Sequence, residues 1–367
     1  MNRNSKQSLL SRRRLLRYGA AALLGASLPF GSTGSFAFAA PARTSFQPIR
    51  FAVLSDLHVD IKGQNGTKMG AVSVECLQST VADLKQEENL HFVLVPGDLL
   101  LDGELENARV VRDTLNKLSV PYYVVAGNHD YRLANPEFIR EGFHYLGIED
   151  FVEFFKGHGY VDEHRYYAHS LAPGLRLIGL DTCLPGEDKW GGVLPEEQLA
   201  WLDKELTEHH DSLHLIMMHH NVIRWSADEA VGGPKQFFCI DNDVTVKKLL
   251  AKHARTAPIV FSGHRHVGLR HKEVDGVNCF VVPSLNSHPM RYAVFTLTPQ
   301  AIFWKTPMVS VAETVHLEAR EHLLDNSWWR AEDMKERTPD NDAAVLDFYE
   351  NNSMILGQLN YRFGSAG

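Results

Sequence analysis

Five short polar clusters in this chain carry residue types that bind divalent metals, and each follows an apolar run. Asp56-Leu57-His58 follows Arg50 to Ser55, Gly97-Asp98 follows His91 to Val95, and Gly127-Asn128-His129-Asp130 follows Pro121 to Val125. His219-His220-Asn221 follows Leu213 to Met218, and Gly263-His264-Arg265-His266 follows Pro258 to Phe261. Any one of these alone reads as an ordinary hydrogen-bonded loop end. Together they supply Asp56, His58, Asp98, Asn128, His219, His264 and His266, a mixed nitrogen and oxygen donor set of the kind two divalent ions need.

The residue types allow a division of labour. A carboxylate has two oxygens and can face two ions, which makes Asp98 the natural bridge. Asp56, His58 and His266 can hold one metal, and Asn128, His219 and His264 the other. Asn128 is neutral, so the site keeps positive charge for an anionic substrate. Alternation along extended backbone predicts that His264 and His266 leave on one side. Mixed donors of this kind admit Mn, Fe or Zn.

The elements that position these clusters read as a predominantly α/β chain. Residues 50–55, 91–95 and 121–125 are predicted strands, with helical spacing over 71–88 and about 104–118. That order argues a largely parallel sheet with crossover helices, where ligands bind beyond the carboxyl ends of strands. Residues 131–165 read as an irregular insertion near the site. Strands are predicted at 165–170, 175–181, 213–218 and 258–261, and helices at 195–209 and 243–253. Residues 267–306 read as several antiparallel strands with turns at Asp275-Gly276 and Thr298-Pro299. Residues 312–362 read as more helical, with Trp328-Trp329 and Tyr361 to Phe363 as docking aromatics.

The order Asp-x-His, Gly-Asp, Gly-Asn-His-Asp, His and Gly-His-x-His over about residues 50–300 resembles the calcineurin-like metallophosphoesterase family. The resemblance implies a four-layer α/β/β/α sandwich of two mixed sheets with flanking helices, and two divalent metal ions on the ligands above. Ser55-Asp56-Leu57-His58, Gly97-Asp98-Leu99 with Asp102, and Gly192-Val193-Leu194 before Gln198-Leu199-Ala200-Trp201-Leu202 are similar to the class III cyclic-nucleotide phosphodiesterase branch. The purple acid phosphatase branch fits poorly, because its metal-binding tyrosine falls at Leu101.

The expected reaction is hydrolysis of a phosphodiester, a cyclic nucleotide, nucleotide or similar small ester, by a hydroxide held between the two ions. The resemblance implies His129 as acid or transition-state stabiliser. Asp130 has two readings: it orients His129, as an acidic partner fixes an imidazole tautomer, or it caps the turn. A phosphomonoester, phospholipid or pyrophosphate ester are the alternatives in the same fold, with aromatic residues of 138–167 lining an apolar pocket. A non-catalytic metal-binding module is the reading from a different class; such a module is expected to lose ligands, and none is missing.

The first residues read as an address. Ser11-Arg12-Arg13-Arg14-Leu15-Leu16-Arg17 precedes a short apolar stretch, Tyr18 to Phe30, and the small-x-small site Ala37-Phe38-Ala39. This resembles a twin-arginine signal over residues 1–39, and implies the twin-arginine export machinery as a partner and a periplasmic or extracellular location. A catalytic domain over 40–310 and a mainly helical extension over 311–367 follow. Residues 1–39 hold six basic residues and no acidic one, so their removal takes the net charge from −8 to −14. An acidic body is a poor match for long nucleic acids, whose affinity rests on Lys and Arg contacts, and a good match for small phosphate esters where metals supply the local positive charge. Cys76, Cys183, Cys239 and Cys279 fall in no metal-binding spacing and read as buried thiols, although an exported chain can form disulfides. Intact-mass analysis of exported protein is expected to find a chain starting near Ala40; retention of Met1 would overturn the leader reading.

Overall fold

Strand β1 (Ile49–Val53) lies between a parallel neighbour and an antiparallel one, and this pairing organises the first of two sheets. The computed structural model describes residues 46–132, 135–184, 190–256 and 259–360. The leader at 1–39 and the aromatics Tyr361 to Phe363 lie outside the described residues.

Helix α1 (Ser73–Leu84) crosses from β1 to β2 (Leu90–Pro96), and α2 (Leu105–Leu115) crosses from β2 to β3 (Tyr122–Val125), as the apolar spacing predicts. All three strands are parallel. The insertion holds a helix that periodicity did not reveal, α3 (Ile148–Phe154). Its Phe151, with Phe155 and Tyr160 beyond it, is buried in the core. Strands β4 (Tyr167–Ala172) and β5 (Leu175–Gly179) form a hairpin, α4 (Glu196–Glu208) leads to β6 (Leu213–Met217), and α5 (Asp243–Lys252) leads to β7 (Ile259–Ser262).

Four strands follow: β8 (Arg270–Val274), β9 (Val277–Val281), β10 (Ala293–Leu297) and β11 (Ala301–Lys305). Both predicted turns connect antiparallel hairpins, but β9 also pairs parallel to β7, so the region is not purely antiparallel. The hairpins are also split between sheets. The first sheet runs β12-β11-β10-β1-β2-β3 and the second β4-β5-β6-β7-β9-β8. The last strand, β12 (Leu356–Asn360), corrects the helical reading of that stretch. It follows α6 (Glu313–Asp325) and α7 (Pro339–Glu350) and extends the first sheet through β11. Its exposed and half-buried residues give no apolar run, so its strand state comes from pairing with β11 rather than from pattern.

The two mixed sheets pack face to face with helices outside, the sandwich that the resemblance implied. Phe51 of β1 meets Phe261 of β7 edge-on at 5.7 Å between ring centroids, and Phe261 meets Phe295 of β10 at 4.9 Å. Strand alternation does the sorting. Ile259 and Phe261 enter this central core, whereas Val260 between them joins Leu202, Leu206, Val246 and Leu250 of α4 and α5 on the other face. All four cysteines are buried free thiols. Among the described residues no helix is long and apolar enough to cross a membrane. The described residues form one compact unit, within which α6 and α7 share an apolar cluster with Val267 and Val281. Phe261 is fully buried at the seam, so Phe261→Ala is expected to lower unfolding free energy by about 3–5 kcal/mol in urea titration; a loss under about 1 kcal/mol would mean that the seam is not the main core.

Candidate metal centre

The carboxyl ends of β1, β2, β3, β6 and β7 converge, and they bring all seven predicted ligands to one place. Asp56, His58, Asp98, Asn128 and His219 are essentially out of water, and His264 and His266 are buried. Nine described non-glycine residues have positive φ, and Asp56, His58, Asp98, His264 and His266 are five of them. Such left-handed backbone is unfavourable for residues with a Cβ and persists only where the surroundings over-determine it. It also corrects the expectation of extended backbone at the last cluster. His264 has φ 67° and His266 φ 50°, so tight turns, not strand alternation, aim these two rings.

Glycines make room for the turns. A Cβ on Gly97, itself at φ 89°, would sit 2.5 Å from His219 Nδ1. One on Gly263 would sit 1.9 Å from Ser55 Oγ and 2.6 Å from Asp56 Oδ2. Ser55 Oγ donates to Asp56 Oδ2 at 2.6 Å, and the His264 amide donates to Asp56 Oδ1 at 2.9 Å, so Asp56 ties the first cluster to the last.

Backbone carbonyls set the imidazole tautomers. A carbonyl only accepts, so the ring nitrogen facing it carries the proton and the other offers a lone pair. His58 Nδ1 faces Leu100 O at 3.3 Å, His219 Nδ1 faces Pro96 O at 2.9 Å, and His264 Nε2 faces Phe237 O at 3.2 Å. The free nitrogens then converge. His58 Nε2 lies 3.0 Å from His266 Nε2, and His219 Nε2 lies 3.1 Å from both His264 Nδ1 and Asn128 Oδ1. Lone pairs this close repel unless a cation stands among them, so the donor set fits metal binding. Asn128 Nδ2 and His266 Nδ1 have no hydrogen-bond partner, so neither side chain is oriented by a bond made there.

Asp98 joins two groups of donors. Its Oδ2 is 3.4 Å from His58 Nε2, on the side of Asp56 and His266. Its Oδ1 is 3.3 Å from His219 Nε2, on the side of Asn128 and His264. Burial alone raises a carboxyl pKa, but the surrounding histidines, His219 foremost, hold Asp98 well below the usual range. Burial likewise pulls His219 down, and the Asp98 charge more than offsets it, raising His219 to about 9, so that a proton sits on Nε2 beside Asp98 wherever no metal cation takes its place. Burial dominates at His58 and His264 and keeps both neutral. Positive charge is therefore favoured beside Asp98.

His220 also lies within ligand distance of His219 and His264, but both its nitrogens are engaged elsewhere. Nδ1 accepts from Thr182 Oγ1 at 2.7 Å, and Nε2 donates to Trp190 O at 2.9 Å. Burial and then the neighbouring His219 lower its pKa to about 3. His220 is a brace for Trp190.

The structure reassigns the partner of His129. Asp130 was one candidate to orient that imidazole, but its carboxylate points into the core, accepting from the Leu100 amide at 2.9 Å and the Gly127 amide at 2.8 Å. Burial and then the Asp98 charge raise it to about 8. Asp130 locks two site loops together and does not reach the His129 ring, so the turn-capping reading is the correct one. Asp102 is the acidic partner: its Oδ1 lies 2.9 Å from His129 Nδ1, which also donates to Leu101 O. Three positions of spacing from Leu99 to Asp102 had marked this residue by resemblance only. Sequence reasoning missed Lys68 altogether. Its Nζ lies 3.1 Å from His129 Nε2, and it comes from the loop before α1, where no pattern distinguishes it from a solvated lysine.

The comparisons with known proteins agree with this geometry. A model of the calcineurin-like phosphoesterases matches residues 49–268. A probable cyclic nucleotide phosphodiesterase of Synechococcus sp. is 30% identical over 214 residues, covering 57% of this chain and 74% of that protein. A glycerophosphodiester phosphodiesterase of Enterobacter lignolyticus is 28% identical over 171 residues, covering 46% of this chain and 55% of that protein. The chain thus spans little more than half the length of this second relative. Among solved structures, a dimetal phosphatase from Danio rerio superposes with a TM-score of 0.55 at 19% identity, over 70% of this chain and 95% of that one. A purple acid phosphatase from yellow lupin gives 0.52 at 15%, over 74% and 53%. At such identities these two likenesses speak for the fold alone. The match over residues 49–268, which spans all five ligand clusters, shows that the chain belongs to the calcineurin-like phosphoesterase family.

Proposed function

We propose that the chain hydrolyses a small phosphodiester at a dinuclear centre held by Asp56, His58, Asp98, Asn128, His219, His264 and His266. The observation that carries this reading is Asp98, whose two oxygens address two separate groups of donors. Mn, Fe or Zn suits such a set of imidazoles, carboxylates and one amide oxygen. When bound, two divalent ions supply Lewis acidity at the phosphoryl oxygens and a nucleophile at neutral pH. The diester preference is supported by the names of the relatives, which are cyclic nucleotide and glycerophosphodiester phosphodiesterases.

The chain's own residues supply charge and a proton. Asp102 and Leu101 O hold the proton of His129 on Nδ1, which leaves Nε2 as an acceptor facing the Lys68 ammonium. Burial lowers the Lys68 pKa, against the pull of Asp98 and Asp102, and so makes the ammonium a better acid. A proton passes from Lys68 Nζ to His129 Nε2 and on to the departing ester oxygen, and Lys68 regains one from solvent. Lys68 and His129 both line the cavity at the centre, where the same ammonium attracts an anionic phosphoryl group. The export reading adds a location outside the cytoplasm, supported by the paired arginines, the apolar stretch Tyr18 to Phe30 and the small-x-small site Ala37-Phe38-Ala39.

The Mn²⁺-loaded protein is expected to cleave bis-p-nitrophenyl phosphate in preference to p-nitrophenyl phosphate, and Asp98→Asn to lose both activity and bound metal by elemental analysis. A monoester preference would make it a phosphatase of the same fold, and wild type without bound metal would sink the reading. His129→Ala is expected to lower kcat by about 10²- to 10⁴-fold with metal content retained, and Lys68→Met to lower it in the same direction. Full activity in His129→Ala would remove that residue from the mechanism.

A further inference from the structure

Trp328 is a large apolar side chain left 47% exposed, and it stands on the wall of the cavity at the metal centre. The cavity has about 180 Å³ of space, and its lining combines Asp98, Asn128, His264 and His266 with aromatic rings. Those rings come from three places: Trp190 follows the second sheet's hairpin, Phe237 and Phe238 lie before α5, and Trp328 and Trp329 lie between α6 and α7. The last pair falls outside residues 49–268, the stretch matched to the family.

The centre itself holds the wall in place. Trp329 stacks on His266 at 5.5 Å between ring centroids and 17° between planes. Phe237 gives its carbonyl to His264 Nε2, and Trp190 gives its carbonyl to His220 Nε2. Trp328 stacks on Phe237 at 5.9 Å and 18°. The backbone of the tryptophan pair is pinned as well. Tyr349 Oη donates to Trp329 O at 2.7 Å, and Lys235 Nζ donates to Arg330 O at 3.1 Å. Arg265, the residue between His264 and His266, reaches Tyr349 Oη at 3.1 Å and Glu229 at 2.7 Å. An exposed indole held this firmly presents a rigid flat surface beside the reacting centre, and such surfaces bind planar rings by stacking.

We propose that Trp328 and Trp329, with Phe237 and Trp190, form a subsite for a planar aromatic ester group of the substrate, the chemistry of a nucleobase or an aryl ester. This rests on the reading of the centre as a phosphoester site. Within that reading it selects an aromatic diester over a glycerol-type one, and it gives the segment between α6 and α7 a role in specificity.

Two substrates with the same leaving group test it. The ratio of kcat/KM for bis-p-nitrophenyl phosphate over methyl p-nitrophenyl phosphate isolates the second ester group. Trp328→Ala is expected to lower this ratio about tenfold with metal content unchanged, and Trp328→Phe to restore most of it. Trp328 is the choice because its exposure makes truncation tolerable to the fold, whereas Trp329 supports His266. A ratio that Trp328→Ala leaves unchanged, including one in which both substrates fall equally, overturns the subsite and leaves the phosphodiesterase reading standing. Calorimetric titration of the Mn²⁺-loaded protein with phenylphosphonate and methylphosphonate gives a readout without turnover. Tighter binding of phenylphosphonate that depends on Trp328, in a protein that cleaves neither diester, keeps the subsite and sinks the phosphodiesterase reading. Equal binding of the two phosphonates in wild type overturns the subsite.

Discussion

The Asp98 carboxylate is 1% exposed, and its position makes the rest of the site intelligible. A buried carboxylate is costly unless positive charge or hydrogen bonds surround it. Here one amide, that of His129, donates to Oδ1, and imidazole nitrogens from both sheets stand beside the two oxygens. Those nitrogens are lone pairs by virtue of the carbonyls behind them. An anion among lone pairs is a site in want of cations, and it draws β1, β2 and β3 of the first sheet and β6 and β7 of the second toward a common point. The sandwich supplies that point because the parallel strands of both sheets end at the same edge.

The backbone around this edge is strained in proportion to how much it must deliver. Five ligand residues occupy left-handed conformations, and the glycines beside them sit where a Cβ would strike His219, Ser55 or Asp56. Buried braces hold these turns. Asp130 grips Leu100 and Gly127, Asp56 grips His264, and Ser284 Oγ donates to Asp56 O at 2.8 Å. None of the braces need touch a substrate, yet each sets the direction of a ligand.

The terminal segment is built into the same framework. Arg265 continues the ligand strand and is buried against Glu229 and Tyr349, so the turn that aims His264 and His266 also anchors α7. Strand β12 then closes the first sheet's edge on β11. A segment that could have been an appendage shares its anchor with the metal centre, and this is why its tryptophans reach the cavity.

Much of this was legible in the chain. The candidate ligand residues and their strand ends were readable because polar clusters after apolar runs are local signals, and a metal site restricts its residue types tightly; the sandwich followed only from the family resemblance those clusters carry. Even the placing of Asp98 between two groups of donors follows from carboxylate chemistry. What sequence could not assign were side chains whose role depends on direction. Asp130 and Asp102 are both acids near His129 in the chain, and only the packed loops turn one into the core and the other toward the imidazole. Lys68 and Trp328 lie in loops with no periodicity, 61 and 199 residues from His129, and β12 has no apolar alternation. Local pattern decides which strand a residue ends; contacts between distant segments decide where its side chain points, because that direction is set by neighbours that sequence order does not place beside it.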